Sequence, residues 1–375
     1  MIWKNGIKVG QKESRFPIIQ GGMAIRISTG LLAGTVAKEG GIGVIGASGM
    51  RFDELADEIR KAREISGEAG IIGINIMYAA REFWGVVRTA VREGIDLIIT
   101  GAGISRDIYR YGQETNTPIF PLVSSARLAR AVEKLGAGAV IVEGKEAGGH
   151  LGTNRSVKEL VPEVRAAVKV PVIAAGGIIN GGDIAEMIVR GGDGVQMATR
   201  FVPTIECNAH ENFKRRYFAV KGPEDLGVAP TSTGFPGSMI LTEFAKKLLK
   251  HEAPMPTSCD QCLKHCTFEI CTYEALEAAR QGDVENGIVF AGQSVFRLQT
   301  RQIQPTHDVI QELVEGLKSA SESELQAEIL KEDEEREKEN LLLPAKDRST
   351  RYDTYNLKTL RKRWEKEKGC AVASS

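Results

Sequence analysis

Eight short runs of apolar, mostly β-branched residues recur along the first half of this chain, and segments with helical spacing lie between consecutive runs. The runs are Pro17–Gln20, Ile42–Gly46, Ile71–Met77, Leu97–Thr100, Ile119–Val123, Ala139–Glu143, Val172–Ala175 and Gly194–Met197. Between them, Phe52, Leu55, Ala56, Ile59 and Ala62 follow the i, i+3, i+4, i+7 pattern of an amphipathic helix. Leu128, Ala131, Val132 and Leu135 do the same and end at Gly136, a C-cap residue. Ile184, Met187 and Ile188 form a third such face, closed by Gly191. Strand, helix, strand at a spacing of roughly twenty to thirty residues means parallel pairing through right-handed crossovers. Eight repeats predict a closed (β/α)8 TIM barrel in preference to an open doubly wound sheet. Gly41-Ile42-Gly43-Val44-Ile45-Gly46 has the spacing of a dinucleotide fingerprint, but its glycines open a strand instead of following one, so the match is weak.

The alternation stops after the eighth run. Residues 203–302 read as an insertion, with a Pro/Gly-rich stretch from Pro230 to Pro236. A last barrel helix is predicted at about Thr306–Leu317, carried by Val309, Ile310, Leu313 and Leu317. The expected organisation is therefore a barrel over 1–202 and 303–320, an inserted substrate region over 203–302, and a charged helical extension over 321–375. Ser321–Asn340 is dense in Glu and Lys, and Arg361-Lys362-Arg363-Trp364 is basic. That tail reads first as a solvated helix with a frayed end, and second as an arm packing on a neighbouring subunit.

Composition narrows the function. Lys and Arg balance Asp and Glu at 49 each, so neither nucleic acid nor an anionic membrane is an expected partner. No apolar run approaches the ~20 residues of a membrane span. The N-terminal Met1-Ile2-Trp3-Lys4-Asn5-Gly6 has no signal-peptide core, which makes the cytoplasm the expected location. Many of the 41 glycines sit at strand ends, where a bare backbone lets a ligand approach amide N–H groups. In a (β/α)8 barrel a phosphate commonly binds at the loops after strands seven and eight. Gly176-Gly177 and Ala198-Thr199 occupy those two loops. They point to a phosphorylated ligand without naming it.

Several of these strand ends together resemble the nitronate monooxygenase family, formerly the 2-nitropropane dioxygenases, which includes flavin-dependent enoyl-ACP reductases. The residues that carry the resemblance are Pro17-Ile18-Ile19-Gln20-Gly21-Gly22-Met23-Ala24, Gly73-Ile74-Asn75, Glu146-Ala147-Gly148-Gly149-His150, Ala174-Ala175-Gly176-Gly177-Ile178 and Gln196-Met197-Ala198-Thr199-Arg200. The resemblance spans about residues 15–320. It implies a barrel that holds FMN, with a substrate region inserted after the eighth strand. The isoalloxazine ring is then expected against Gly22, Met23 and Ala24, with Asn75 bonding its edge. Ala147 and Gly148 are expected along the ring or ribityl chain. Gly176, Gly177, Ala198 and Thr199 are expected to hold the phosphate, with Gln196 nearby. His150 is the candidate catalytic residue, placed to take a proton from a nitroalkane, steady an anionic nitronate or protonate an enolate.

Six cysteines do not suggest a secreted disulfide framework, because four of them fall within thirteen residues as Cys259-x2-Cys262-x3-Cys266-x4-Cys271. That spacing suits an iron–sulfur cluster (4Fe-4S), with a structural Zn and free thiols as the alternatives. Cys207 and Cys370 stand apart as ordinary thiols. The leading expectation is an FMN-dependent oxidoreductase that converts alkyl nitronates to carbonyl compounds and nitrite. The alternatives are an NAD(P)H-dependent FMN enoyl thioester reductase and a non-catalytic electron-relay or assembly subunit. The expected partners are a small-molecule substrate, NAD(P)H or an electron-transfer protein, and further copies of this chain.

Overall fold

The computed structural model describes residues 2–256, 259–267 and 269–342, with side chains described as far as Arg336. Eight parallel strands close into a barrel in chain order: β1 (Ile18–Gln20), β2 (Ile42–Gly46), β3 (Ile71–Met77), β4 (Leu97–Gly101), β5 (Ile119–Val123), β6 (Val140–Glu143), β7 (Val172–Ala175) and β8 (Gly194–Met197). All eight expected runs are strands, with ends shifted by one residue at β1, β4 and β6. Closure comes from β8 pairing with β1, where Gln196 aligns with Ile19 and Met197 with Gln20. The run of β-branched residues follows from burial on both faces, which a parallel sheet wrapped in helices requires.

Helices cover the outside of the barrel: α1 (Gly30–Lys38), α2 (Phe52–Ser66), α3 (Phe83–Arg92), α4 (Arg106–Glu114), α5 (Ala126–Leu135), α6 (Val157–Ala167) and α7 (Gly181–Val189). In α2 the inward stripe is Leu55, Ala56, Ile59 and Ala62, while Phe52 stays exposed. In α5 the buried stripe is Ala126, Ala129 and Val132, not Leu128, Ala131 and Leu135. Small residues let α5 lie close to the sheet, and Leu128 is released toward the strand ends. Gly136 caps α5 in the left-handed conformation, as expected.

Inside the barrel, Ile19, Ile42, Val44, Ile71, Leu97, Ile99, Phe120, Ile141 and Ile173 form one apolar plug. Ile7 and Val9 from an N-terminal ribbon close its floor. The glycines of the fingerprint-like stretch serve packing. A Cβ on Gly43 would lie 1.8 Å from the Ala33 carbonyl oxygen of α1, and one on Gly46 would lie 2.3 Å from the Met23 carbonyl oxygen.

After β8 the chain forms α8 (Glu211–Ala219), strands β9 (Leu226–Pro230) and β10 (Pro236–Ile240), α9 (Glu243–Leu249), α10 (Thr272–Arg280) and strand β11 (Val289–Phe290). It then returns to the barrel through α11 (Thr306–Ser319), which buries Val309, Ile310, Leu313, Val314 and Leu317. The order β9-β10-β11 is antiparallel, and β10 also pairs with a two-residue strand, Gly149–His150, from the loop after β6. The tail begins with α12 (Glu322–Leu342), which lies along this chain's own barrel and is not simply solvated. Arg190, almost fully buried, pairs with Glu186 at 2.9 Å and with Glu332 of α12, and Lys158 reaches both acids at 2.9 and 3.0 Å. Residues 343–375, including Cys370 and the basic Arg361–Trp364 stretch, lie outside the described residues. Among those described, no helix is long and apolar enough to cross a membrane.

The Gly43 contact is with backbone, which cannot rotate away. Gly43→Ala is therefore expected to destabilise the barrel by about 1–3 kcal/mol or more, read as a lower denaturant midpoint. An unchanged midpoint would contradict this packing.

Candidate active site

Side chains alternate along a strand, so the inward set can be followed to the C-terminal rim of the barrel. Glu143 stands two residues beyond Ile141, Ala175 two beyond Ile173, and Asn75 two beyond Gly73. Glu143 aligns with Ala175, and Ala175 with Gln196, across three adjacent strands. Asn75 aligns with Ile99 of β4, an inward residue. The apolar plug therefore ends at a rim that carries three polar side chains, Asn75, Glu143 and Gln196.

Above this layer lies a cavity of about 590 Å³, within the ordinary range of small-molecule sites. Gly22, Met23, Ala24, Asn75, Gly148, His150, Gln196, Ala198 and Thr199 all line it. Ala147, Gly176 and Gly177 sit just behind that wall. Gly176 packs on Ala147, where a Cβ would meet the Ala147 amide nitrogen at 2.9 Å. Gly176 and Gly177 take φ values of +102° and +75°, a left-handed turn open to glycine that aims successive amides out of the strand end. A Cβ on Gly22 would lie 2.4 Å from the Asn75 Cβ, so only a bare backbone fits between the first loop and β3. The Thr199 hydroxyl accepts a hydrogen bond from the Gly292 amide at 3.2 Å, which leaves its own proton free to donate.

The inserted region builds the opposite wall. His150 is held in register with Gly237 of β10, and the Leu151 amide donates to the Pro236 carbonyl at 2.8 Å. Its ring stands edge-on to Phe290 at 5.5 Å. Its Nε2 is buried with no hydrogen-bond partner among the described residues. Burial pushes the imidazole down to about 4, so it is neutral at pH 7. The Gln196 Oε1 is also buried and unpartnered. Two buried polar atoms without partners, on residues that both line one cavity, fit a site where a bound group makes up the missing bonds. With the glycine cradle, they fit a flat heteroaromatic ring carrying a phosphate.

Glu143, Phe290, Tyr217 and Leu128 also line the cavity, and none of them was expected at the site from the sequence. Glu143 had a signal: it is a carboxyl at the C-terminal end of a barrel strand, where reactive groups gather. Phe290 and Tyr217 had none, because the folding of the insertion alone brings them there.

The iron–sulfur or zinc reading of Cys259, Cys262, Cys266 and Cys271 finds no support. Among the described residues, no group of three or more His, Cys, Asp or Glu could hold a metal ion. Cys262 turns into the cavity roof, fixed by the Arg81 amide donating to its carbonyl at 2.9 Å and by a bridge between Ala80 and Leu263. Cys271 caps α10, its sulfur accepting from the Glu274 amide at 3.4 Å, and the Cys259 sulfur accepts from the Gln261 amide. The four do feel one another: burial first, then Cys271, Cys266 and Cys259, push the Cys262 thiol up.

Comparison with known proteins gives the family of the chain. The nitronate monooxygenase profile matches residues 7–84 and 70–316. A Mycobacterium tuberculosis (3aS,4S,5R,7aS)-5-hydroxy-7a-methyl-1-oxo-octahydro-1H-indene-4-carboxyl-CoA dehydrogenase is 32% identical over 62% of this chain, and the match spans 65% of that enzyme's length. A probable nitronate monooxygenase of Staphylococcus aureus is 27% identical over 78% of this chain and 92% of its own. Among solved structures, FabK from Thermotoga maritima superposes with a TM-score of 0.73 at 33% identity, covering 81% of this chain and 93% of that one. A nitroalkane oxidase from Streptomyces ansochromogenes gives 0.69 at 25% identity, covering 82% and 97%.

The depressed His150 has a consequence for stability. The unfolded chain binds this proton near pH 6.5 and the folded chain only near 4. Between those values the unfolded state holds more protons, so stability falls as pH drops through that window. His150→Gln is expected to lose less stability than the parent protein between pH 7 and pH 4, by thermal melting at each pH. Equal losses would place the ring outside this environment.

Proposed function

The chain belongs to the nitronate monooxygenase family, a family of flavin-dependent oxidoreductases, and on that premise we propose that it binds FMN at the barrel rim and oxidises alkyl nitronates to carbonyl compounds and nitrite. The observation that carries the reading is His150, a neutral ring whose Nε2 has no partner among the described residues, in the lining of a cavity whose other wall is a glycine-lined strand-end cradle.

In this reading Gly22, Met23 and Ala24 lie against the ring, Asn75 and Gln196 bond its polar edge, and Ala147 and Gly148 follow the ribityl chain. Gly176, Gly177, Ala198 and Thr199 hold the phosphate through amides and one hydroxyl. FMN, when bound, supplies the electron acceptor that a nitronate needs, with dioxygen as the second oxidant. His150 does the proton work. A neutral imidazole accepts the proton on the carbon beside a nitro group. That C–H pair passes to the nitro oxygens, and the imidazolium then faces the anion it has made. The anion raises the proton affinity of a ring that burial alone depresses. Phe290 and the apolar roof keep water from competing for that proton.

A second reading is reduction of an enoyl thioester with NAD(P)H. The similarity to FabK and to the carboxyl-CoA dehydrogenase favours it. The division into a barrel over 1–202 and 303–320, an insertion over 203–302 and an extension over 321–375 belongs to the same proposal, as does self-association of the chain. An electron-relay role through the cysteines loses its footing with the metal site.

Nitrite release from a small alkyl nitronate in air is the expected result. With the neutral nitroalkane as substrate, whose proton His150 must take, His150→Ala is expected to lower kcat/KM about 10²–10⁴-fold while the flavin absorbance stays with the protein. Bleaching of the flavin by NADPH without oxygen, reversed by a crotonyl thioester and with no nitrite from nitronates, would establish the second reading instead. Full activity in His150→Ala would remove the assigned base.

A further inference from the structure

A second hollow opens on the outside of the barrel, between α5 and α6. It holds about 460 Å³ and is lined by Arg127 and Arg130 of α5, Arg155 of the loop after β6, and Glu163 of α6. Three guanidinium groups against one carboxylate leave it with an excess of positive charge. That carboxylate is already engaged, 2.7 Å from Arg155. The other acids nearby are engaged as well. Glu159 meets Arg155 at 3.7 Å and Arg336 at 3.8 Å, and Glu133 accepts from the Lys169 and Val170 amides. Arg127 and Arg130 are exposed, and neither has an ion-pair partner among the described residues. The first turn of α5 carries Arg127 and no acidic residue. A cation there opposes the helix dipole, a placement that a bound anion offsets.

This groove meets the central cavity. Ser125, the N-cap of α5, lines both. From there α5 turns Leu128 to the cavity, and Arg127 and Arg130 to the groove. Arg130 lies five residues past Ser125, about 7.5 Å along the helix axis. Arg155 ties the other edge of the groove to the loop that carries His150. Its carbonyl accepts from the Lys145 amide at 2.8 Å, and its amide donates to the Thr153 hydroxyl at 3.1 Å. Ala126, Ala166 and Ala167 leave part of the wall without long side chains, so a flat ring can lie there. Guanidinium forks match phosphate oxygens. A small nitroalkane does not reach this groove, and the flavin phosphate is assigned to the loops after β7 and β8. A ligand that reacts in the cavity and carries its phosphate at arm's length does reach it. We propose that the α5–α6 groove is a subsite for the ribose phosphate of an adenine nucleotide, the anionic end of a substrate or co-substrate whose reacting end enters the cavity past Ser125. A coenzyme A thioester and NADPH share this chemistry. The inference rests on the reductive reading above for what reacts in the cavity.

The test is calorimetric titration of the full chain, supplied with FMN, with coenzyme A, NADP⁺ and NAD⁺ as probes that do not reduce a flavin. The proteins are the parent, the double variant Arg127→Ala/Arg130→Ala, and Ala166→Glu, which puts a carboxylate into the groove. The parent is expected to bind coenzyme A or NADP⁺. Binding of coenzyme A supports the inference and names a thioester as the source of the phosphate. Binding of NADP⁺ with NAD⁺ at least about tenfold weaker supports it and names the reductant, because the two differ by one ribose phosphate whose charged hydrogen bonds are lost. Both variants are expected to weaken the bound probe about 10–100-fold, with the flavin absorbance unchanged. Undiminished affinity in both variants, or no binding of either phosphorylated probe by the parent, would overturn the inference while leaving the flavin reading intact. Failure of the parent to take up FMN would overturn the flavin reading, and the same titration of the bare chain would still decide on the groove. Should the double variant fail to fold, the contrast between the parent and Ala166→Glu decides.

Discussion

The hydrogen bonds between β8 and β1 are the constraint on which the rest depends. Pairing Gln196 with Ile19 closes eight strands into a ring and fixes the register of every inward side chain. The Gly21 amide, donating to the Met197 carbonyl at 2.8 Å, extends that closure by one residue and brings the first loop over the strand ends. Closure does two things at once. It buries an apolar plug that stabilises the fold, and it ends that plug at a rim holding Asn75, Glu143 and Gln196. A barrel is a filled cylinder, so the ligand has to lie on its rim.

The insertion completes what the rim begins. Its β10 captures the two-residue strand Gly149–His150, which anchors the loop after β6 at both ends. The His150 Nε2 is thereby buried and has no hydrogen-bond partner among the described residues. Those are the conditions in which an imidazole stays neutral and open to a proton. Phe290, from β11 of the same small sheet, is fixed behind it, while the Tyr217 hydroxyl donates to the Phe290 carbonyl. Chemistry at this site thus depends on two packing units that meet at one loop.

Much of this was legible in the sequence because it is periodic or local. The eight β-branched runs, the glycine pair at Gly176-Gly177 and the C-cap at Gly136 each follow from a short stretch of chain. What was not legible depends on distant packing. The buried face of α5 turned because Ala126 and Ala129 allow closer approach than Leu128, a choice that the sheet makes. Phe290 and Tyr217 reach the cavity only through the fold of the insertion. The four cysteines have the spacing of a metal site, yet no such site is found among the described residues, where Cys262 is tied to the barrel loop and Cys271 caps α10. The charged tail showed helical character, yet its pairing with the buried Arg190 could not be read without knowing that α6 and α7 lie side by side.

The claim that the barrel rim is a flavin seat is tested most directly by the absorption spectrum of the gently purified protein, with FMN added if it arrives bare. The account predicts the yellow flavin bands at close to one cofactor per chain, retained through desalting. A colourless protein that releases all added FMN on desalting would contradict it.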